Sequence, residues 1–252
     1  MSGPNDRDLA LGAERPVAGL APDETARAAS ARLYADLHAG IITGRMRPGE
    51  SLSETRVAEQ YGISRTPVRE VFRRLTEEGF LSVVPQVGTY VAPINLAAVT
   101  DSQFIREALE RRAVCLTAER ASAQDIRALR DELRTQERAI AAGDRGRFFA
   151  SDETMHRIIM TIAGHPAVWD LIGSAKAQLD RVRHLSLEQD DWLAMIFSQH
   201  RIIVDHAAVH DVAGADAAMT QHLRTVFDAI NRIAAEHPDF FDAPRQKRTR
   251  RP

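Results

Sequence analysis

The sequence is short of what would tie a chain to a membrane, an oxidising compartment or a polyanion. Its one cysteine, Cys115, permits no intrachain disulfide. That suits a reducing cytoplasm, where the chain is expected to work. No stretch of about 18 apolar residues occurs, and the N-terminus has no apolar signal core, so no membrane association is expected. Lys and Arg number 33 against 35 Asp and Glu, a net charge of −2. Such a balance excludes a generic polyanion binder, and any contact with nucleic acid must come from a local basic surface. No internal repeat is evident. From about residue 102 to 236 there is no convincing strand, and Gly or Pro occur only at breaks such as AAGDRGR, AGHPAVW and VAGADA.

Both ends of the chain are polar. Residues 1–28 open with MSGPNDRDLALGAERPVAGLAPDE, rich in Gly and Pro and without periodicity, and read as a disordered leader. Residues 239–252 close with RQKRTRRP, a basic tail that is either a solvated end or a non-specific phosphate contact.

The segment YGISRTPVREVFRRL, residues 61–75, sets Pro67 inside an otherwise helical pattern. Proline is tolerated in the first helical turn, whose N–H groups have no intrahelical partner to lose. With Ser64 as N-cap and Gly62 in the turn before it, a helix starts here. Val68, Val71, Phe72 and Leu75 form its buried stripe. Arg65 and Arg69 share a face near its N-terminus, with Thr66 beside them. The preceding ETRVAEQY supplies a short helix carrying Val57 and Ala58. Helix, short turn, and a helix opening on basic and hydroxyl residues is the helix-turn-helix pattern. The competing reading is an ordinary amphipathic helix with solvated arginines.

The neighbours decide between them. Leu33, Tyr34, Leu37 and Ile41 mark another amphipathic helix, closed by the turn TGRMRPGESLSE. Downstream, FLSVVPQVGTYVAP reads as two short β-runs around a Pro/Gly turn. The pieces G-x-x-x-P-G-x-x-L-S-E and S-R-T-P-V-R-E, correctly spaced, resemble the DNA-binding domain of the GntR family of bacterial transcription regulators. The resemblance implies a winged helix-turn-helix of three helices and a β-hairpin over residues 29–93. It also implies DNA contacts from Ser64, Arg65, Thr66 and Arg69, with Arg56 and the wing glycine Gly88 as further candidates. The family often carries a basic residue just after the first S-E and another before the wing glycine. Here those places hold Thr55, with Arg56 next to it, and PQVG, without a basic residue.

After a linker at 94–101, residues 102–238 read as an all-α bundle of six or seven helices. Its polar residues stand where apolar ones are expected. In FFASDETMHRIIMTIAG, Asp152 and His156 lie at the edge of the face made by Phe148, Met155, Ile159 and Ile162, while Glu153 and Arg157 point away. His200 falls in the stripe of Leu193, Ile196, Phe197, Ile203, Val204 and Ala207, and His206 on the other side. His222 falls among Ala215, Ala218, Met219, Val226, Ala229 and Ile233. Three inward imidazoles and a carboxylate carry a large desolvation cost unless they share a partner. They are a ligand set for a divalent transition metal such as zinc, nickel or manganese. The alternative is separate, locally satisfied core polar groups.

The same residues resemble the ligand-binding FCD domain of the FadR-type subgroup of GntR regulators. FIREALERRAVCLTAERA is similar to its opening helix, and the D-x-x-x-H pair, QHRIIVDH and MTQHL to its ligand segments. The resemblance implies a helical bundle with a central cavity in which Asp152, His156, His200 and His222 hold the metal. Arg106 is the expected partner of an effector carboxylate, its competing role being an ion pair with Glu110 or Asp101. Glu110, Arg181 and Arg183 are further cavity candidates. Trp192 either covers the cavity or is core. His165, where the family usually has Asn, either lines the cavity or lies at the surface. The implied protein is a homodimeric, DNA-binding transcription regulator, expected to be a repressor of a palindromic operator and controlled by a small organic acid. A sugar acid or other small carboxylate is expected over a long acyl chain. The runner-up is a metal-dependent helical enzyme acting on a small acid.

Overall fold

The computed structural model describes residues 22–186 and 190–242, in two compact units. The first runs through Ile41 and from Gly49 to Ala92; the second takes Ile42–Pro48 and the chain from Pro93. Most of the expected leader and basic tail therefore lies outside the described residues.

In the first unit, helix α1 (Pro22–Ile42) buries Leu33, Leu37 and Ile41. It begins inside the stretch expected as leader. Proline at a first helical position gives up no hydrogen bond, and the alanine-rich sequence that follows favours helix. Helix α2 (Glu54–Tyr61) is capped by Ser53, whose hydroxyl accepts from the Arg56 N–H, and ends on Gly62 in the left-handed region. Helix α3 (Arg65–Glu77) follows at once, with Pro67 in its first turn and Val68, Val71, Phe72 and Leu75 buried as expected. Three antiparallel strands close the unit: β1 (Ser51–Leu52), β2 (Leu81–Val84) and β3 (Gly88–Val91), in the order β1-β3-β2. The hairpin was legible, but β1, two residues long, leaves no periodic signal.

The second unit holds seven helices among the described residues. They are α4 (Leu96–Arg120), α5 (Ala123–Ala141), α6 (Arg145–Ile162), α7 (Pro166–Ala175), α8 (Ala177–Ser186), α9 (Asp190–Ala208) and α10 (Val212–Glu236). A 3-10 turn, Pro238–Phe240, follows. The expected linker at 94–101 is corrected: Asn95 accepts from the Ala98 N–H and starts α4 at Leu96. The side-chain cap overrides a sequence without Gly or Pro to stop it. VAGADA is likewise no break but the first turn of α10, capped by Asp211. Gly214 stands in that turn, where a larger residue would require the His206 and Asp211 side chains to move. A Cβ there would lie 2.1 Å from His206 Nδ1 and 2.3 Å from Asp211 Oδ2.

Helix α4 packs along α10, and α5 lies against both α6 and α9. The main core joins Val114, Leu129, Met155, Ile159, Val204 and Met219 across five of these helices. Buried polar bonds tie helices together: Gln103 Nε2 donates to the Leu223 carbonyl at 2.8 Å, and Thr117 Oγ1 to that of Ile159 at 3.0 Å. No described helix is long and apolar enough to cross a membrane.

Candidate functional site

Helix α6 places Asp152 and His156 one turn apart, facing His200 on α9 and His222 on α10. All four are buried, and one ligand atom from each lies within 4.8 Å of the others. Each imidazole is oriented through its Nδ1. His156 Nδ1 lies 2.5 Å from Glu110 Oε2, off the direction of a straight hydrogen bond. His200 Nδ1 lies 2.8 Å from Gln136 Oε1, and His222 Nδ1 3.2 Å from Gln199 Oε1. The Gln199 amide is turned so by its own NH₂, which donates to Thr225 Oγ1 at 3.0 Å. An oxygen stands near each Nδ1, and a proton held there would leave the three Nε2 lone pairs free to face a common point.

That arrangement is incomplete in protein atoms alone. His156 Nε2 and His222 Nε2 face each other at 3.2 Å. His200 Nε2, fully buried, makes no hydrogen bond; the Asp152 Oδ1 beside it is 3.3 Å away and carries no proton to share. Burial pushes the His200 and His222 pKa values down, that of His222 well down, which keeps both neutral. Burial would raise Asp152, but the Arg183 guanidinium holds it well below the usual carboxylate range. Glu110, also buried, is brought to about 2 by Arg106 and His156. The donor set therefore suits a cation coordinated by neutral nitrogen and anionic oxygen.

A cavity open to solvent adjoins these residues. Arg106, Asp152, Arg183 and His222 line it, and Trp192 stands at its lining as well. Arg106 is buried, its Nε donating to Glu110 Oε1 at 2.5 Å, so the ion pair and the cavity position hold together. Arg183 pairs with Asp152, with Glu153 Oε1 at 2.5 Å and with Asp180 Oδ1 at 3.0 Å. Lys176, also buried, contacts Glu153 at 2.7 Å and Asp180 at 2.5 Å. Glu153, expected to point away, is instead covered by α8. Arg181 is buried but directed elsewhere, donating to the Pro93 carbonyl and Gln178. His165 is exposed and stands at the start of α7. Gln136, Gln199, Lys176 and Asp180 were missed, because on one helix each reads as an ordinary polar residue.

In the first unit, Ser64, Arg65, Thr66, Arg69, Arg56 and Gly88 are all exposed. The Ser64 side chain makes no cap bond, leaving its hydroxyl at the open N-terminus of α3. Arg65 Nη2 and Arg69 Nε both donate to Glu54 Oε2, at 3.1 and 2.9 Å. The wing tip carries Gln86 in the left-handed region and an exposed Val87.

Comparison with known proteins agrees with both units. Residues 29–91 match the model of bacterial regulatory proteins of the gntR family, and residues 101–225 match that of the FCD domain. An HTH-type transcriptional regulator from an unstable DNA locus of Streptomyces ambofaciens is 39% identical over 209 residues, spanning 83% of this chain and 88% of that protein. The HTH-type transcriptional repressor RspR of Escherichia coli K12 is 34% identical over 214 residues, spanning 83% and 92%. A crystal structure of a GntR transcriptional regulator from Rhodococcus sp. RHA1 superposes with a TM-score of 0.67 at 20% identity, covering 81% of this chain and 98% of that one. The chain is a DNA-binding transcription regulator whose second unit is a helical FCD domain. It belongs to the GntR family, in the branch that carries an FCD domain, and the family is one of regulators, not enzymes.

Proposed function

We propose that this regulator is a homodimeric repressor of a palindromic operator, acting in the cytoplasm, whose helical domain holds a divalent transition metal and responds to a small organic acid. The repressor reading is supported by the likeness to RspR, a transcriptional repressor. The metal reading rests on one observation: three buried imidazoles, each with an oxygen near its Nδ1, come together beside the Asp152 carboxylate with one ligand atom of each within 4.8 Å of the others. Glu110, Gln136 and Gln199 are the outer partners that metal-binding histidines require. Zinc, nickel and manganese all accept this nitrogen and oxygen set. A bound ion would supply a Lewis-acidic anchor for an effector carboxylate. Arg106, held by Glu110, and Arg183 flank that anchor from the cavity wall.

On the DNA side, Ser64 and Thr66 suit a phosphate at the N-terminus of α3, and Arg65 and Arg69 suit base edges in the major groove. Arg56 and Gly88 flank them. One such unit reads one half-site, so two copies are needed for a palindrome. The helical domain offers the surface for pairing. The Arg111–Asp216 and Arg224–Glu107 bridges knit α4 to α10, and outside that seam Phe104 and Phe227 remain 76% and 39% exposed. An acid that contacts several helices favours one arrangement of the bundle, and its coupling to operator affinity must be reciprocal.

The test is elemental analysis of the purified full-length protein, with operator binding measured before and after chelation. About one ion per chain is expected, lost in His200→Ala and His222→Ala. Wild-type protein that holds no metal would overturn the reading.

A further inference from the structure

From the lining of the cavity and the charges around it we infer that the effector is a monocarboxylic acid with an apolar body, and neither a polyol acid nor a dicarboxylate. The inference rests on the metal reading proposed above.

The charged and ligating groups, Arg106, Asp152, Arg183 and His222, share the lining with two hydroxyls and a larger set of apolar side chains. Along α9, Ile196 and Trp192 line it one and two turns before His200. Along α10, Val226 and Ala229 do so one and two turns after His222, and on α6 Phe148 and Phe149 come a turn before Asp152. At about 1.5 Å of rise per residue, the apolar groups lie roughly 5–12 Å along the helix axes from the four ligands. An acid anchored by its carboxylate at the ligand end must put its remaining atoms among these side chains. Hydroxyl groups would find little there. The Thr225 hydroxyl already donates to the Gln221 carbonyl at 3.0 Å, and that of Ser186 to the Arg183 carbonyl at 2.7 Å. A buried hydroxyl without a partner is a loss, whereas an apolar body buries favourably. The lining therefore favours an apolar acid over the sugar acid that a metal-filled centre suggests from sequence.

The charges fix the number of carboxylates. In the ion-pair network around the four ligands, three cations, Arg106, Lys176 and Arg183, stand against four carboxylates, Glu110, Asp152, Glu153 and Asp180, while the buried Arg181 is turned away onto the Pro93 carbonyl and Gln178. One negative charge is in excess, and coordinating imidazoles are neutral. A divalent ion turns the balance to one positive charge, which one carboxylate cancels. A dicarboxylate would leave an uncompensated anion in a low-dielectric interior. The donors agree. Arg183 is occupied by three carboxylates, while Arg106 uses Nε and Nη2 on Glu110 and has no partner for Nη1 among the described residues. One guanidinium nitrogen and one ion together suit a single carboxylate.

The test is calorimetric titration of the full-length, zinc-loaded protein with phenylacetate, phthalate and gluconate, following tryptophan fluorescence in parallel. Phenylacetate should bind at least tenfold tighter than either of the others and alter the emission of Trp192, a change lost in Trp192→Phe. Ile196→Thr should weaken phenylacetate several-fold and leave bound zinc unchanged, which a general loss of fold would not do. Equal or tighter binding of gluconate or phthalate overturns the inference, as does zinc-loaded protein that binds none of the three. Failure of the underlying reading looks different. The wild type would then retain no zinc in elemental analysis, and both proposals would fall.

Discussion

Glu54 Oε2 lies 2.9 Å from Arg69 Nε, and the same oxygen accepts from Arg65. Burial opposes ionisation of Glu54, but the bonds from Arg69 and Arg65 hold it below the usual carboxylate range. A residue on α2 therefore sets the direction of two side chains on α3. Glu54→Gln should lower the ratio of operator to random-sequence affinity about tenfold, some 1.4 kcal/mol. The arginines lose their shared anchor, while a negative charge opposing phosphate disappears. Fluorescence anisotropy on both DNAs measures the ratio, and an unchanged ratio would remove Glu54 from specificity. Arg69→Ala should cost operator binding on the order of 1–3 kcal/mol if it reads a base edge. Equal weakening on both DNAs would make it a phosphate contact.

The outer partners of the imidazoles are open to a test that spares the ligands. Gln136→Leu removes the oxygen 2.8 Å from His200 Nδ1 while keeping a buried side chain of similar size. Metal affinity should fall about 10–100-fold with helical content retained. Competition with a chromogenic chelator reads the affinity, and circular dichroism the helix. Full affinity would mean that His200 is oriented by packing alone.

Phe104, on the outer face of α4, is the test of assembly. Phe104→Glu should convert the dimer to monomer in sedimentation equilibrium and reduce operator affinity, leaving the melting of the monomer cooperative. A dimer unaffected by the change places the interface elsewhere.

The pH dependence of stability has a specific contributor in His184, whose ring stacks on Phe149 at 3.9 Å. Burial pushes its pKa from 6.5 down to about 4. The unfolded chain thus takes a proton near pH 6.5 that the folded chain accepts only near pH 4. The contribution to stability is complete above pH 6.5 and is lost as the pH falls toward 4. By linkage the loss is about 2 kcal/mol at pH 5. Urea unfolding of His184→Gln should therefore show a shallower decline between pH 7.5 and 5 than the wild type. Parallel declines would show that His184 titrates normally.

The DNA-binding unit was legible almost throughout, because its signals are local. Ser64, Pro67 and the Val68–Leu75 stripe mark the start and inner face of α3 within one segment, and Gly62 marks the turn. The four inward polar residues of the bundle were legible for the same reason, each being an exception within its own helical period. What was not legible depends on other helices. Gln136 meets His200 across 64 residues of chain, and Glu153 is covered by Arg183 of α8 and by Lys176, which precedes that helix. The stretch 94–101 read as a linker because one asparagine cap is a weaker signal than a change of composition.

His156 and His222 are 66 residues apart, and the oxygens that orient the three imidazoles come from α4, α5 and α9. This spacing sets an order of events. An ion arriving while the chain is still folding finds at most Asp152 and His156, one turn apart on a single helix, a pair too weak to hold it against water. The full set exists only after α9 and α10 have docked, which would make capture of the proposed ion a late step governed by long-range contacts. The helices must assemble on their apolar packing first, and the proposed ion, once held, would certify that assembly is finished. A chain stalled short of that point would release its metal before it could take up an effector.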